Sequence, residues 1–112
     1  MTPGDVIVQG RCAFVILAIA GDMAAAAPVV SGYHGGRLGS NVALDPVRCG
    51  LSLRAPVADA ARRRKISVEG ECVGSVCPVT VGKIVRAIAR VIETERVGWR
   101  FTGCSPEYGV AL

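Results

Sequence analysis

Apolar and polar residues alternate between Ile66 and Cys72, and the period changes from two to that of a helix after Pro78. The alternating segment predicts a strand with one buried and one exposed face. Pro78 suits the first turn of a helix, where its missing N–H is not needed. The apolar residues that follow share one side of this helix: Val81, Ile84, Val85, Ile88 and Ile92. Because helices in proteins are stabilised mainly by packing of their apolar side, this helix is expected to cover a sheet that contains the Ile66 strand.

The rest of the chain predicts three more strands and one more helix. The strands are expected near Asp5–Gln9, at Cys49–Val57, and at the end of the chain, where Trp99 and Phe101 alternate with a basic residue. A core helix is expected over roughly Cys12–Ala27, a nearly uninterrupted apolar segment that a proline follows. The order β-α-β-β-α-β predicts an α+β fold, a ferredoxin-like sandwich with two helices on one face of a mainly antiparallel sheet. A chain of 112 residues normally forms one domain, so residues 1–112 are expected to be a single α+β domain.

The first apolar segment also bears on membrane insertion and export. A spanning helix needs about 20 apolar residues, and Asp22 near its middle would cost roughly 3 kcal/mol on insertion, so no membrane span is predicted. The run of alanines at 24–26 fits a signal-peptide cleavage site, although Asp5 and Arg11 leave the preceding segment without net positive charge. Cleavage of about residues 1–26 would leave an even number of cysteines for two disulfides: Cys49, Cys72, Cys77 and Cys104. A small exported protein is therefore an alternative to the buried helix.

The five cysteines form no C-x-x-C pair, and the chain has one histidine, so neither a metal site nor another cofactor is predicted. An iron–sulfur cluster that began at Cys72 and Cys77 would need two further cysteines close together downstream, and only Cys104 is present. Cys77 lies at the expected start of a helix, whose dipole lowers the pKa of a thiol. A thiol-redox protein with Cys77 as nucleophile and Cys72 as resolving thiol is a second alternative. An unreactive turn thiol, or a Cys72–Cys77 disulfide, is the simpler interpretation.

Charge and loop composition add two candidate features. The formal net charge is +4, and its one compact cluster is Arg62, Arg63, Arg64 and Lys65, which could contact an anionic partner. A solvated loop is the simpler interpretation, because the aromatic residues that alternate with basic ones in single-strand binders are absent; nucleic acid is not expected as a partner. His34 lies in a glycine-rich loop over 31–40 without an accompanying nucleophile or carboxylate. No catalytic residue is therefore predicted.

The order of the predicted elements resembles a known family. It comprises a leading helix that ends in alanines (Ile19–Ala27), the glycine-rich passage Gly35-Gly36-Arg37, a strand (Lys65–Val73) and a long amphipathic helix (Val79–Glu95). This layout resembles small bacteriophage tail-completion or tail-terminator proteins. The resemblance implies a non-enzymatic subunit that forms a ring at the end of a tail tube, located in the cytoplasm or the virion.

The apolar content points in the same direction. Apolar residues make up 51% of the chain, more than one small core needs, and such an excess often marks an interface. The expected function is a structural or assembly subunit that self-associates or binds neighbouring protein subunits. The candidate interface residues are Phe14, Leu17, Trp99 and Phe101.

Overall fold

The computed structural model describes residues 1–32 and 41–102, with side chains as far as residue 94. These residues form seven strands and one long helix: β1 Asp5–Gln9, β2 Cys12–Ala20, β3 Met23–Ser31, β4 Asn41–Ala43, β5 Pro56–Asp59, β6 Arg64–Ser67, β7 Glu71–Ser75 and α1 Pro78–Thr102. A short 3₁₀ helix, Ala60–Arg62, joins β5 to β6. The predicted ferredoxin-like sandwich with two helices is therefore wrong, because the described chain is mostly antiparallel sheet with a single helix.

The segment predicted as the first helix forms the β2–β3 hairpin instead. The chain turns at Gly21, whose φ of +64° lies in the left-handed region that favours glycine. Successive residues of β2 are buried on opposite faces of the sheet, Phe14 and Ile16 in one core and Val15 in the other. A strand buried on both faces is a continuous apolar run, and its periodicity does not distinguish it from a buried helix.

β3 lies at the centre of the sheet and pairs with three other strands. The strand order is β4-β5-β3-β2-β1-β7, and β6 also pairs with β3. On the side away from β2, Met23–Ala26 pairs with β6 and Val29–Ser31 pairs with β5. Ala27 and Pro28 lie between these two ladders and pair with neither. Pro28 therefore occupies a position in the sheet where its missing N–H interrupts no ladder on that side.

Of the other predicted strands, one is confirmed and two have different bounds in the structure. The predicted strand at Asp5–Gln9 is confirmed as β1. The strand expected over Cys49–Val57 is shorter and later, since β5 begins only at Pro56. The strand that begins near Ile66 divides into β6 and β7 at a bend where Gly70 has a φ of +130°.

The predicted closing strand is wrong, because Trp99 and Phe101 both lie within α1. Two alternating aromatic residues are too short a pattern to establish a period of two. The helix also continues through Gly98. A glycine inside a helix costs only about 1 kcal/mol relative to alanine, which the rest of the helix can absorb.

α1 packs on one face of the sheet, and a second core lies on the other face. On the helix, Ile84 and Ala87 are fully buried, whereas Val85 is 49% and Ile92 is 40% exposed. The helix therefore buries a narrower side than its apolar pattern predicts. The buried residues of the helix-side core are Val6, Val15, Ala27, Val29, Val42, Leu44, Cys49, Ala58, Ala60, Val76, Ile84 and Ala87. Those of the opposite core are Ile7, Phe14, Ile16, Ala24, Ala26 and Ile66.

Candidate functional site

A groove of about 340 Å³ lies between the sheet and α1 and combines an apolar floor with a basic rim. We call it the β6 groove. Leu17 of β2, Ala25 of β3 and Ile88 of α1 supply apolar atoms. Three basic residues complete the lining: Arg63, Arg64 and Lys65. The groove can therefore contact a ligand that is apolar in one part and anionic in another.

The pairing of β6 with β3 determines where these basic residues lie. Arg64 is opposite Ala26 and Lys65 is opposite Ala25, so long side chains on β6 face short ones on β3. The guanidinium carbon of Arg64 lies 5.8 Å from the centroid of the Phe14 ring, within range of a cation–π interaction. This contact ties Arg64 to the opposite core while its side chain remains exposed.

A second groove, of about 270 Å³, lies between β4 and α1. We call it the β4 groove. Its lining consists of the strand residues Asn41, Val42 and Ala43 and the helix residues Lys83, Arg86 and Arg90. The three basic residues recur at intervals of three and four, which places them on one side of the helix.

Besides Arg64, whose side chain lies over Phe14, the linings of the two grooves include five basic residues and, among the described residues, no carboxylate. The 3₁₀ helix that contains Arg62 contacts both α1 and β4, and Arg62 directly precedes the basic residues of the β6 groove. Clefts lined by charge of one sign concentrate ligands of the opposite sign. The surface around α1 is accordingly suited to an anion with several charges.

Asp59 lies beneath this surface and is 1% exposed. Its Oδ1 accepts a hydrogen bond of 3.1 Å from the N–H of Ala61, and its Oδ2 lies 3.5 Å from Nε of Arg62. No other described charged side chain is buried. The sequence analysis missed Asp59, because an aspartate at the end of a strand looks like an ordinary turn residue.

The predicted site residues lie in different parts of the structure. The basic cluster Arg62–Lys65 lies beside α1, and the sequence did not indicate that the basic side of α1 adds three more cations near it. The only signal for this was that both segments are basic. Phe14 is buried in the core and Leu17 lines the β6 groove, so their role in an interface stays a prediction. The side chains of Trp99 and Phe101 lie outside the described residues, as does His34.

The cysteines of the described residues carry free thiols: Cys12, Cys49, Cys72 and Cys77. The Sγ of Cys77 lies 3.2 Å from the hydroxyl of Thr80. This hydrogen bond, together with the backbone N–H of Thr80, lowers the pKa of the Cys77 thiol. Cys104 lies outside the described residues. A redox role for Cys72 and Cys77 stays an untested assignment of these residues.

The structure also bears on export and membrane insertion. Residues 1–26 supply β1, β2 and half of β3, and Val6, Ile7 and Val15 among them are fully buried. Removal of this segment would take out the centre of the sheet, which counts against the alternative in which about residues 1–26 are cleaved. Within the described residues, no helix combines the length and apolar character needed to cross a bilayer.

No protein-family model matches the sequence, and no curated protein matches it. Solved structures do match the fold. The Mycobacterium tuberculosis toxin MazF-mt6 is similar with a TM-score of 0.65 and 18% identity, over 82% of this chain and 97% of that chain. A toxin from Mtb is similar with a TM-score of 0.62 and 20% identity, over 77% of this chain and 98% of that one. An endoribonuclease from a mycobacterial species matches with a TM-score of 0.62 and 18% identity, over 83% and 91% of the two chains.

These neighbours are toxins and endoribonucleases, and they overturn the resemblance to phage tail-completion proteins. The expected non-enzymatic assembly subunit and its virion location are corrected with it, as are the exported and thiol-redox functions that stood as alternatives. The reactivity of Cys72 and Cys77 themselves is a separate prediction. The layout of predicted elements gave a false match, because it rested on a helix that is in fact a hairpin. The chain has the fold of the MazF-type toxin endoribonucleases.

Proposed function

We propose that this protein is an endoribonuclease of the toxin type that cleaves single-stranded RNA in the cytoplasm. The observation that carries the proposal is the lining of the two grooves beside α1, to which five basic residues besides Arg64 and no described carboxylate contribute. The fold likeness to endoribonucleases supports the same assignment. Arginine and lysine are the side chains that bind phosphate groups most effectively.

The β6 groove fits the two chemical parts of a nucleotide. Bases of single-stranded RNA are unpaired and can lie against an apolar surface, here Leu17, Ala25 and Ile88. The phosphates would then contact Arg63 and Lys65 at the rim. The sequence did not favour nucleic acid as a partner, because aromatic residues are absent from the basic cluster. In the folded chain, aliphatic residues from β2, β3 and α1 would supply an apolar surface for the bases, without aromatic stacking.

The same cations are suited to the cleavage step. Attack of an oxygen nucleophile on the phosphodiester places additional negative charge on the phosphoryl oxygens, and preorganised cations stabilise that charge in the transition state. In RNA cleavage, basic residues of the grooves would therefore act both on substrate binding and on the rate of bond breaking.

Protein partners form the second part of the proposal. One structural neighbour, an endoribonuclease with a TM-score of 0.57 and 18% identity, was solved in complex with its cognate antitoxin. On this chain, Val85 and Ile92 lie on α1 seven residues apart and are 49% and 40% exposed. On the helical wheel this side of α1 includes Ile88 of the β6 groove, so a protein bound along it would restrict access of RNA to that groove.

Kinetics of groove variants test the proposed function. We expect purified protein to cleave a fluorescein-labelled single-stranded RNA, and the double variant Arg86→Ala/Arg90→Ala to lower kcat/KM at least about tenfold through loss of phosphate contacts. Arg48→Ala is the matched control, since Arg48 is an exposed arginine in the turn before β5, outside both grooves. Equal kcat/KM values for the double variant and the control would contradict the assignment of the RNA site.

A further inference from the structure

Asp59 places a carboxylate in the protein interior, which lowers the stability of the fold unless the charge is compensated. The side chain is 1% exposed and is flanked in sequence by the buried residues Ala58 and Ala60. Burial of a carboxylate is costly unless the charge is paired and hydrogen-bonded. Within the described residues it receives one hydrogen bond, from the N–H of Ala61 to Oδ1. Its Oδ2 is buried with no hydrogen-bond partner there, and Arg62 is the cation beside it.

Capping of the 3₁₀ helix does not require this charge. The Oδ1 of Asp59 satisfies the N–H of Ala61 at the start of the helix. An asparagine oxygen serves as a cap about as well as an aspartate oxygen. The feature that only a carboxylate supplies is attraction to Arg62, whose Nε lies 3.5 Å from Oδ2.

The guanidinium group of Arg62 contacts Asp59 through Nε, which leaves its two terminal nitrogens available to a ligand. Its side chain is 66% exposed, and the contact with Asp59 involves Nε. The four N–H donors on Nη1 and Nη2 have no partner among the described residues. A guanidinium with two free terminal nitrogens offers the parallel pair of hydrogen bonds that a phosphate accepts.

The position of Arg62 continues the basic surface. The next three residues in the chain line the β6 groove, and the 3₁₀ helix contacts α1 and β4, the two elements of the β4 groove. Arg62 is therefore next to the β6 groove in the chain, and an RNA strand bound there would bring its backbone near this residue.

We propose that Arg62 binds an RNA phosphate through Nη1 and Nη2, and that Asp59 is the positioning residue that holds the guanidinium in place through Nε. This inference rests on the proposed endoribonuclease function and extends it to two residues that form neither groove. A salt bridge with a purely structural role would stabilise the turn between β5 and β6 without an effect on RNA.

The dependence of RNA cleavage on salt separates these two roles. For single-stranded RNA, each phosphate contact contributes about 0.7 to the slope of log affinity against log salt concentration. We expect Arg62→Ala to reduce that slope for KM by about 0.7 relative to wild type. Arg62→Lys keeps the charge but loses the fork and the Nε contact, so it should keep the slope while kcat/KM falls several-fold. Asp59→Asn keeps the cap and should lower kcat/KM in the same direction as Arg62→Lys.

Thermal melting of each variant and the Arg48→Ala control complete the experiment. If Asp59→Asn does not fold, the two variants of the exposed Arg62 still decide the question. Variants of Arg62 that melt at a changed temperature but keep the wild-type salt slope and kcat/KM would overturn the inference and leave the proposed function intact. Wild-type protein that neither binds nor cleaves RNA would overturn both.

Discussion

The four basic residues Arg62–Lys65, just before β6 and at its start, differ in the contacts that their side chains make. Arg62 is paired with the buried Asp59, and Arg64 lies over the ring of Phe14. Arg63 and Lys65 line the rim of the β6 groove. The sequence alone identified this cluster as a candidate contact for an anion. It did not indicate the carboxylate or the aromatic ring, because both contacts depend on how β5, β2 and β6 meet.

The reactivity of Cys77 is a prediction at the scale of one residue. The hydrogen bond from Thr80 lowers the pKa of this thiol, so its thiolate is present at a lower pH than that of an ordinary cysteine. We expect the alkylation rate of Cys77 to rise at correspondingly lower pH, as measured by peptide mass spectrometry after iodoacetamide pulses. Thr80→Val should move the profile to higher pH, whereas Thr80→Ser should not. The same profile for wild type and Thr80→Val would contradict the assigned cause.

At the scale of elements, β1 was located from the sequence, and so was α1 from its start at Pro78. The β2–β3 hairpin was not, because burial on both faces removes the alternation that identifies a strand. Pairing of β3 with β6 and then β5 leaves no mark in a local pattern, since it depends on contacts between distant parts of the chain.

Gly50 and Gly21 allow a test of how closely the turn before β5 packs on β7. Both have positive φ, +71° and +64°, but a Cβ on Gly50 would lie 2.0 Å from the carbonyl oxygen of Val73, whereas one on Gly21 would meet nothing within 4 Å. We expect Gly21→Ala to lower the free energy of unfolding by about 1 kcal/mol, from backbone strain alone. Gly50→Ala should lower it by at least about 2 kcal/mol more, or prevent folding. Urea denaturation of both variants measures the difference, and equal losses would mean that the turn does not pack on β7.

The depth of α1 in the core is a second prediction about an element. Ile84 is fully buried and Val85 is 49% exposed, although both belong to the apolar side predicted from sequence. We expect Ile84→Ala to cost about 2–5 kcal/mol of unfolding free energy, because it leaves a cavity in the helix-side core. Val85→Ala should cost less than about 1 kcal/mol. Similar losses at the two positions, measured by urea denaturation, would show that the helix is rotated relative to the sheet.

At the scale of the whole molecule, the antiparallel sheet and the single helix of the described residues define the fold. The likeness to toxin endoribonucleases extends over about four fifths of the chain, 82% in the case of MazF-mt6. The sequence alone could not reach this conclusion, since identity to these proteins is only 18–20%. Folds of this kind are determined by burial and strand pairing, which many different sequences satisfy.

Self-association is the prediction that belongs to the whole molecule. Several apolar side chains are exposed on the described surface, among them Val79, Val85 and Ile92 on α1. Burial of such residues between subunits is favourable, at about 25 cal/mol for each Å² removed from water. We expect light scattering of the purified protein to give a mass larger than 11.6 kDa at micromolar concentration. A stable monomer would contradict self-association and leave a different protein as the remaining partner.

The most direct test of the proposed function is the action of purified wild-type protein on one oligonucleotide sequence prepared as RNA and as DNA. We expect cleavage of the single-stranded RNA, no cleavage of the DNA, and an activity that elutes with the protein on a sizing column and falls at least about tenfold in Arg86→Ala/Arg90→Ala. Folded protein that leaves the RNA intact under these conditions, or activity that elutes apart from the protein, would contradict the assignment.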